Sequence, residues 1–107
     1  MNKNRWYDQH IEEPVRKAVK ALRNEGINTE SSCGHDMTIQ CQFLDNSELD
    51  RIYNVLILLG YDNYCVSIFD DVNEGHRSTT LEIMLPDING RYYFDLTENK
   101  EFIKKIF

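Results

Sequence analysis

The chain is short of basic residues, has no paired set of cysteines and no long apolar run, and each shortage excludes something. Only 12 lysines and arginines stand against 18 aspartates and glutamates in 107 residues, a formal charge of −6. A surface of that sign repels phosphate backbones at long range, which excludes nucleic-acid binding through a broad basic face. The one pair of adjacent lysines, Lys104 and Lys105, falls near the C-terminal end of a predicted helix, where cations complement the helix dipole. No stretch approaches the roughly 18 apolar residues of a membrane span. The opening Met1-Asn2-Lys3-Asn4-Arg5-Trp6 lacks the apolar stretch of a signal peptide. A cytoplasmic protein without a membrane partner is therefore expected. Cys33, Cys41 and Cys65 are an odd number of cysteines, so free thiols are expected rather than a disulfide framework. Internal repeats and low-complexity tracts are also missing.

What is present is the composition of a globular domain: 41% hydrophobic and 11% aromatic residues, too apolar for a disordered chain despite 28% charged residues. A chain of this length buries roughly two-thirds of the surface its unfolded form exposes, enough for one core, and residues 1–107 read as a single domain.

Ile11, Val15, Ala18, Val19 and Leu22 recur on one helical face, with Arg16, Lys17, Lys20 and Arg23 opposite. Pro14 fits only a first turn, which places the helix start near Glu12 or Glu13, and Asn24-Glu25-Gly26 supplies a glycine stop. Trp6 and Tyr7 precede this helix and are expected to fold back on the core. Residues 27–33, a Gly34-His35-Asp36 turn and the alternating segment Met37 to Phe43 read as a β-hairpin. By parity Met37, Ile39, Cys41 and Phe43 face inward, which makes Cys41 a small core hydrophobe, while Thr38, Gln40 and Gln42 face solvent. Asp45 and Glu48 have the spacing of a capping box ahead of a second helix whose stripe, Leu49, Ile52, Tyr53, Leu56 and Leu59, ends at Gly60.

Tyr64 to Phe69 is a short apolar run consistent with a central strand, and Asp70 to Ser78 reads as a polar loop. Thr79 to Leu85 alternates, with Leu81, Ile83 and Leu85 on one face, and Asn89-Gly90 predicts a tight turn into a partner strand from Arg91 to Leu96. Thr97 can cap a last short helix running to Ile106. The expected fold is α+β in the order α-β-β-α-β-β-β-α, with two main helices on one face of a mostly antiparallel sheet of about five strands. That order is compatible with a circularly permuted ferredoxin-like arrangement.

The least ordinary stretch is Ser31, Ser32, Cys33, Gly34, His35 and Asp36, which puts a thiol, an imidazole, a carboxylate and two hydroxyls into one hairpin turn, the kind of place where binding groups sit. It is open to three interpretations. Cys33 and His35 have the chemistry of zinc ligands, with His10, Cys65 or His76 as sources of the rest, though their spacing matches no standard finger or ribbon. Alternatively Cys33 is a nucleophile activated by His35 or a remote histidine, with the Gly34 amide facing an oxyanion. The plainest account gives Gly34 a turn with positive φ, packs Cys33, lets the serines cap loose backbone groups and leaves His35 in solvent.

Ile11, Pro14, Val15, Leu22, Asn24, Gly26, Ile27, Thr29, Ser32, Cys33, Gly34, His35, Thr38 and Ile39 together resemble a family of small uncharacterised bacterial and phage proteins. Its pattern is a proline-containing helix, a Gly-Ile-x-Thr stretch and a Ser-Cys-x-Gly-His loop before a strand. Here Cys33 abuts Gly34 directly, so one loop residue is missing, and the family implies no activity. Ser31-Ser32-Cys33-Gly34 is also faintly similar to the Ser-Ser-Cys-Ser-Gly-Arg motif of wybutosine tRNA-modifying methyltransferases, but His35 stands where the arginine would be.

Other polar clusters have simpler accounts. Asp70, Asp71, Asn73 and Glu74 have the composition of a calcium loop without its spacing, and His76 with Arg77 could meet a small anion. Glu82, Asp95 and Arg91 form a charged set on two predicted strands, worth about 0–1 kcal/mol as surface pairs. Tyr53, Tyr61, Tyr64, Tyr92 and Tyr93 serve either a core or an interface. The function these features favour is a small non-enzymatic ligand-binding or regulatory module, using the Ser31–Asp36 loop and dimeric through its sheet. The alternative is a metal- or thiol-dependent enzyme centred on Cys33 and His35, with zinc as the metal.

Overall fold

A computed structural model describes residues 10–92. Trp6, Tyr7, the strand residues Tyr93 to Leu96 with Asp95, the last helix with Lys104 and Lys105, and thus the expected fifth strand and third helix, lie outside the described residues.

Helix α1 spans Glu13–Asn24, with Pro14 in its first turn, where the missing N–H leaves no bond unmade. Its apolar stripe is fully used: Val15, Ala18, Val19 and Leu22 are buried. The chain leaves the helix through Gly26 at φ +83°, with Gly26 N–H donating to the Arg23 carbonyl and Ile27 N–H to the Leu22 carbonyl. This is a Schellman closure, and Ile27 buried against Leu22 is its apolar contact. Helix α2, Ser47–Leu58, ends the same way at Gly60, with Tyr61 N–H reaching the Leu56 carbonyl.

The N-terminus of α2 differs from expectation. Asn46, not Asp45, is its cap residue, and Asp45 Oδ1 accepts from the backbone N–H and the hydroxyl of Ser47. Glu48 does not reach back to complete a capping box; its side chain is only 3% exposed, directed into the protein. The buried stripe is Glu48, Ile52, Val55 and Leu56, which rotates Tyr53 out to the surface.

Strands β1 (Thr29–Cys33), β2 (Thr38–Gln42), β3 (Cys65–Asn73) and β4 (His76–Met84) form an antiparallel sheet in the order β1-β2-β4-β3. The fold is α+β, two helices and four antiparallel strands among the described residues. Ile39, Cys41, Leu81 and Ile83 form neighbouring pairs on the helix side, Ile39 opposite Ile83 and Cys41 opposite Leu81, and all four are fully buried. Arg51 of α2 donates from Nη2 to the Glu25 carbonyl at 2.6 Å, placing a cation on the C-terminal end of α1 and tying the helices together.

Three expectations are corrected. Among the described residues Tyr64 to Phe69 is not a central strand, because β4 lies between β2 and β3 and leaves β3 at the edge. Asp70 to Ser78 is not a loop: β3 and β4 stay paired to Asn73 opposite His76 and turn through Glu74 and Gly75, both at positive φ, as a two-residue hairpin demands. The Asn89-Gly90 turn does not serve a hairpin with β4, since β2 and β3 occupy both edges of that strand. The turn itself forms, with Asp87 Oδ1 accepting from Asn89 N–H and Arg91 N–H. Among the described residues no helix is long and apolar enough to cross a membrane.

Candidate functional site

The Ser31–Asp36 segment forms the end of β1 and the turn into β2. A bulge between Thr29 and Ser31 inserts one unpaired residue, Glu30, and shifts the parity of the rest of the strand. Ser32 therefore shares the helix side with Ile39, while Ser31 and Cys33 share the open face with Gln40 and Thr38. The Ser31 hydroxyl donates to Gln40 Oε1, and Gln40 Nε2 donates to Glu82 Oε2, a polar row across three strands. Cys33 is half-buried and His35 is exposed.

Gly34 is buried, but its φ is not positive; the left-handed residue of the turn is Met37 at φ +58°. Gly34 is required for close approach instead. A Cβ there would lie 2.8 Å from Glu12 Cβ, 3.0 Å from Pro14 Cδ and 3.1 Å from Glu12 Oε2. The turn is thus seated on the start of α1, with the Glu12 side chain and the Pro14 ring packed against Gly34.

The metal candidates do not converge. Among the described residues no three of the His, Cys, Asp and Glu side chains gather as a metal site needs. Cys33 and Cys65 share one row of the open face, Cys33-Thr38-Met84-Cys65, but at its two ends. Three strand spacings put them about 14 Å apart. His76 is at the far tip of the β3–β4 hairpin and His10 lies ahead of α1. Cys41, facing inward, has its thiol pushed up to about 12 by burial, with the Glu48 and Glu30 carboxylates adding to the effect.

Two hollows adjoin these elements. One, of about 70 Å³, lies between α1 and β1 beside Arg23, Thr29, Ser31 and Ser32. The other, of about 220 Å³, is a shallow groove between the helices lined by Ala21, Val55, Leu58 and Leu59. Pockets that enclose small organic ligands run to roughly 300–1,000 Å³, so neither holds one on its own.

The most exposed feature of the fold was not among the expected sites. Gln42 opposite Thr80 is the last β2–β4 pair, so the pairs from Asp70–Thr79 to Asn73–His76 have no third strand beside them among the described residues. This arm is held by its own side chains: Arg77 Nε donates to both Asp70 oxygens at 2.9 and 3.2 Å, Thr79 Oγ1 to Asp70 Oδ1, and Ser78 Oγ to Asp71 Oδ1. Arg77 holds the Asp70 carboxyl below its ordinary range, and Arg77 is thereby engaged rather than open to an anion. With Asp70 and Asp71 bonded inside the arm, the calcium-loop composition does not become a cation site. Ile68, Phe69 and Val72 on β3 are 45%, 53% and 66% exposed. The only signal that could have located the arm is the continuation of strand parity through Val72 and Arg77 around Gly75. Arg91 pairs with Asp87, and Glu82 with Gln40, so the charged set expected across two strands is divided.

Comparison with known proteins finds no matching family model, no matching curated protein and no matching solved structure.

Proposed function

We propose that the protein is a non-enzymatic interaction module that binds a protein partner through the β3–β4 arm. One observation carries this: a self-braced hairpin projects past the sheet and displays Ile68, Phe69 and Val72 beside a strand edge with no partner among the described residues. Apolar side chains cost free energy in water, and long unpaired edges invite strand addition. A chain keeps both on one rigid element when something covers them. The Ser31–Asp36 turn, seated on α1 through Gly34, offers Ser31 and His35 as exposed side chains and serves as a lesser contact in the same proposal. The strand order β1-β2-β4-β3 suits a ferredoxin-like sheet with its first strand moved to the C-terminal side, a scaffold that hosts many functions and names none.

The test is site-specific photo-crosslinking in the native cell with the probe at Val72, at His35 or at Lys17 on the exposed side of α1. Adducts at Val72 that are lost when Phe69→Ser is added support the arm. Adducts at His35 alone move the site to the turn, and none at either position removes the proposal. The enzymatic alternative predicts a Cys33 thiol that reacts with iodoacetamide far faster than Cys65, with the difference abolished by His35→Ala.

A further inference from the structure

The partner that fits the arm best is identified by the ladder geometry. Among the described residues the sheet has two edges, and they are built differently. β1 is five residues long and broken by the bulge at Glu30, the devices that blunt an edge against pairing. β3 is nine residues long, paired with β4 without a bulge, and has neither lysine nor proline. Its two aspartates do little to guard it, because Asp70 is held by Arg77 and Asp71 by Ser78.

Leu85 N–H bonds the Met37 carbonyl, which fixes the odd residues of β4 toward β2 and the even ones toward β3. Hydrogen-bonded pairs alternate along an antiparallel ladder, so the odd residues of β3 spend their main-chain groups on β4. Val66, Ile68, Asp70 and Val72 are left with N–H and C=O directed outward.

From this we infer that β3 pairs with β3 of a second copy of the chain, antiparallel about a two-fold axis at Phe69, the middle residue of the strand. This rests on the arm being the binding element. In that register Val66 stands opposite Val72 of the second copy and Ile68 opposite Asp70, all four even residues with outward main-chain groups, so each outward donor meets an outward acceptor. Parity is satisfied as well: Val66 and Val72 both lie on the helix side, while Phe69 meets its own equivalent on the open face. Ser67 faces Asp71, a hydroxyl beside a carboxylate. Shifting the axis to Asp70 would oppose the two Asp70 carboxylates, and shifting it to Ile68 would shorten the overlap and part Val66 from Val72. The pairing joins two sheets of four strands into one of eight and covers the three apolar side chains of β3 that are exposed.

The experiment combines mass in solution with register-specific crosslinking. Sedimentation of the full chain across a wide concentration range is expected to move from 12.7 kDa toward twice that mass. Val72→Lys is expected to hold it at the lower value, with circular dichroism checking that the variant folds. In a Cys33→Ser, Cys65→Ser background, Phe69→Cys is expected to oxidise to a disulfide-linked dimer. Mixed Val66→Cys and Val72→Cys chains are expected to cross-link to each other well above the rate of Val66→Cys with itself. A mass that stays at 12.7 kDa at every concentration overturns the inference, as does a dimer that survives Val72→Lys or lacks these crosslinks. If the protein is monomeric yet Val72 photo-crosslinks to a different protein in cells, the arm remains the binding element and only the second copy is refuted.

Discussion

Replacing Gly34 with alanine separates two accounts of the turn by the sign of the effect. If the glycine were there only for turn flexibility, its φ is one that alanine adopts, and the substitution would stabilise by about 0.4–1 kcal/mol through the unfolded chain. The geometry requires the reverse. The new methyl would sit 2.8 Å from Glu12 Cβ, an atom one bond from the backbone that cannot swing away, and 3.0 Å from Pro14 Cδ, which is fixed in a ring. Overpacking against such neighbours costs about 1–3 kcal/mol. At about 2 kcal/mol, a domain of this size loses roughly 8–16 °C in Tm, at about 4–8 °C per kcal/mol. Urea and thermal unfolding monitored by circular dichroism measure it. Glu12→Gly removes two of the three clashing atoms, so in a double-mutant cycle it should recover about 1 kcal/mol or more of the Gly34→Ala loss. A stabilised Gly34→Ala protein, or a cycle with no coupling, would refute the claim that the turn is seated on α1.

Glu48 is buried with Oε2 unpartnered among the described residues and Oε1 4.0 Å from Arg51, so Glu48→Met should stabilise by about 1–2 kcal/mol in urea unfolding; a loss instead would mean that the carboxylate has a partner outside residues 10–92. At pH 8 a thiol reagent should modify Cys33 and Cys65 and spare Cys41 until the protein unfolds, which mass spectrometry of the modified peptides will show. Because the folded Cys41 holds its proton to about 12 while the unfolded thiol releases it near 9, that group subtracts stability progressively as pH rises from 9 to 12, and Cys41→Ala should flatten the fall. Asp70 is shifted the other way, so its contribution is present above the ordinary carboxylate range and lost as pH falls through the lowered value. Hydrogen exchange should therefore show the arm amides of Asp71 and Asn73, which bond to β4, losing protection in acid before those of Ile39 and Ile83, and Arg77→Ala should remove the difference.

Much of the core was legible because its residues obey one period at a time. Val15, Ala18, Val19 and Leu22 repeat with the helix, and Ile39 with Cys41 and Leu81 with Ile83 alternate with the strand. Gly26 and Gly60 mark helix ends because αL geometry there excludes most side chains. The arm was not legible because a strand beyond the core has no apolar face to bury. Asp70 to Ser78 is polar for that reason, and Glu74-Gly75 is a weaker turn signal than Asn89-Gly90, which drew the expected hairpin to the wrong partner. Glu48 stands where a cap is expected, since a carboxylate three residues after Asp45 usually is one, and nothing local reveals that α2 turns it inward. In the Ser31–Asp36 turn, the residue types were visible but the bulge was not, and the bulge decides which of them face the core.

That bulge also sets how the chain tolerates changes of length. β1 carries one residue more than its ladder uses, since Ser31, Ser32 and Cys33 pair with Gln40, Ile39 and Thr38 however many residues precede them. Deleting Glu30 would leave those pairs and their parity intact, whereas deleting Ser32 would make Ser31 and Cys33 neighbours on opposite faces, so that either Cys33 turns to the core side or Ser31 leaves its bond to Gln40. The first strand is thus spliced into the sheet with slack at a single position, and an insertion or loss there is absorbed without re-aiming the turn into β2.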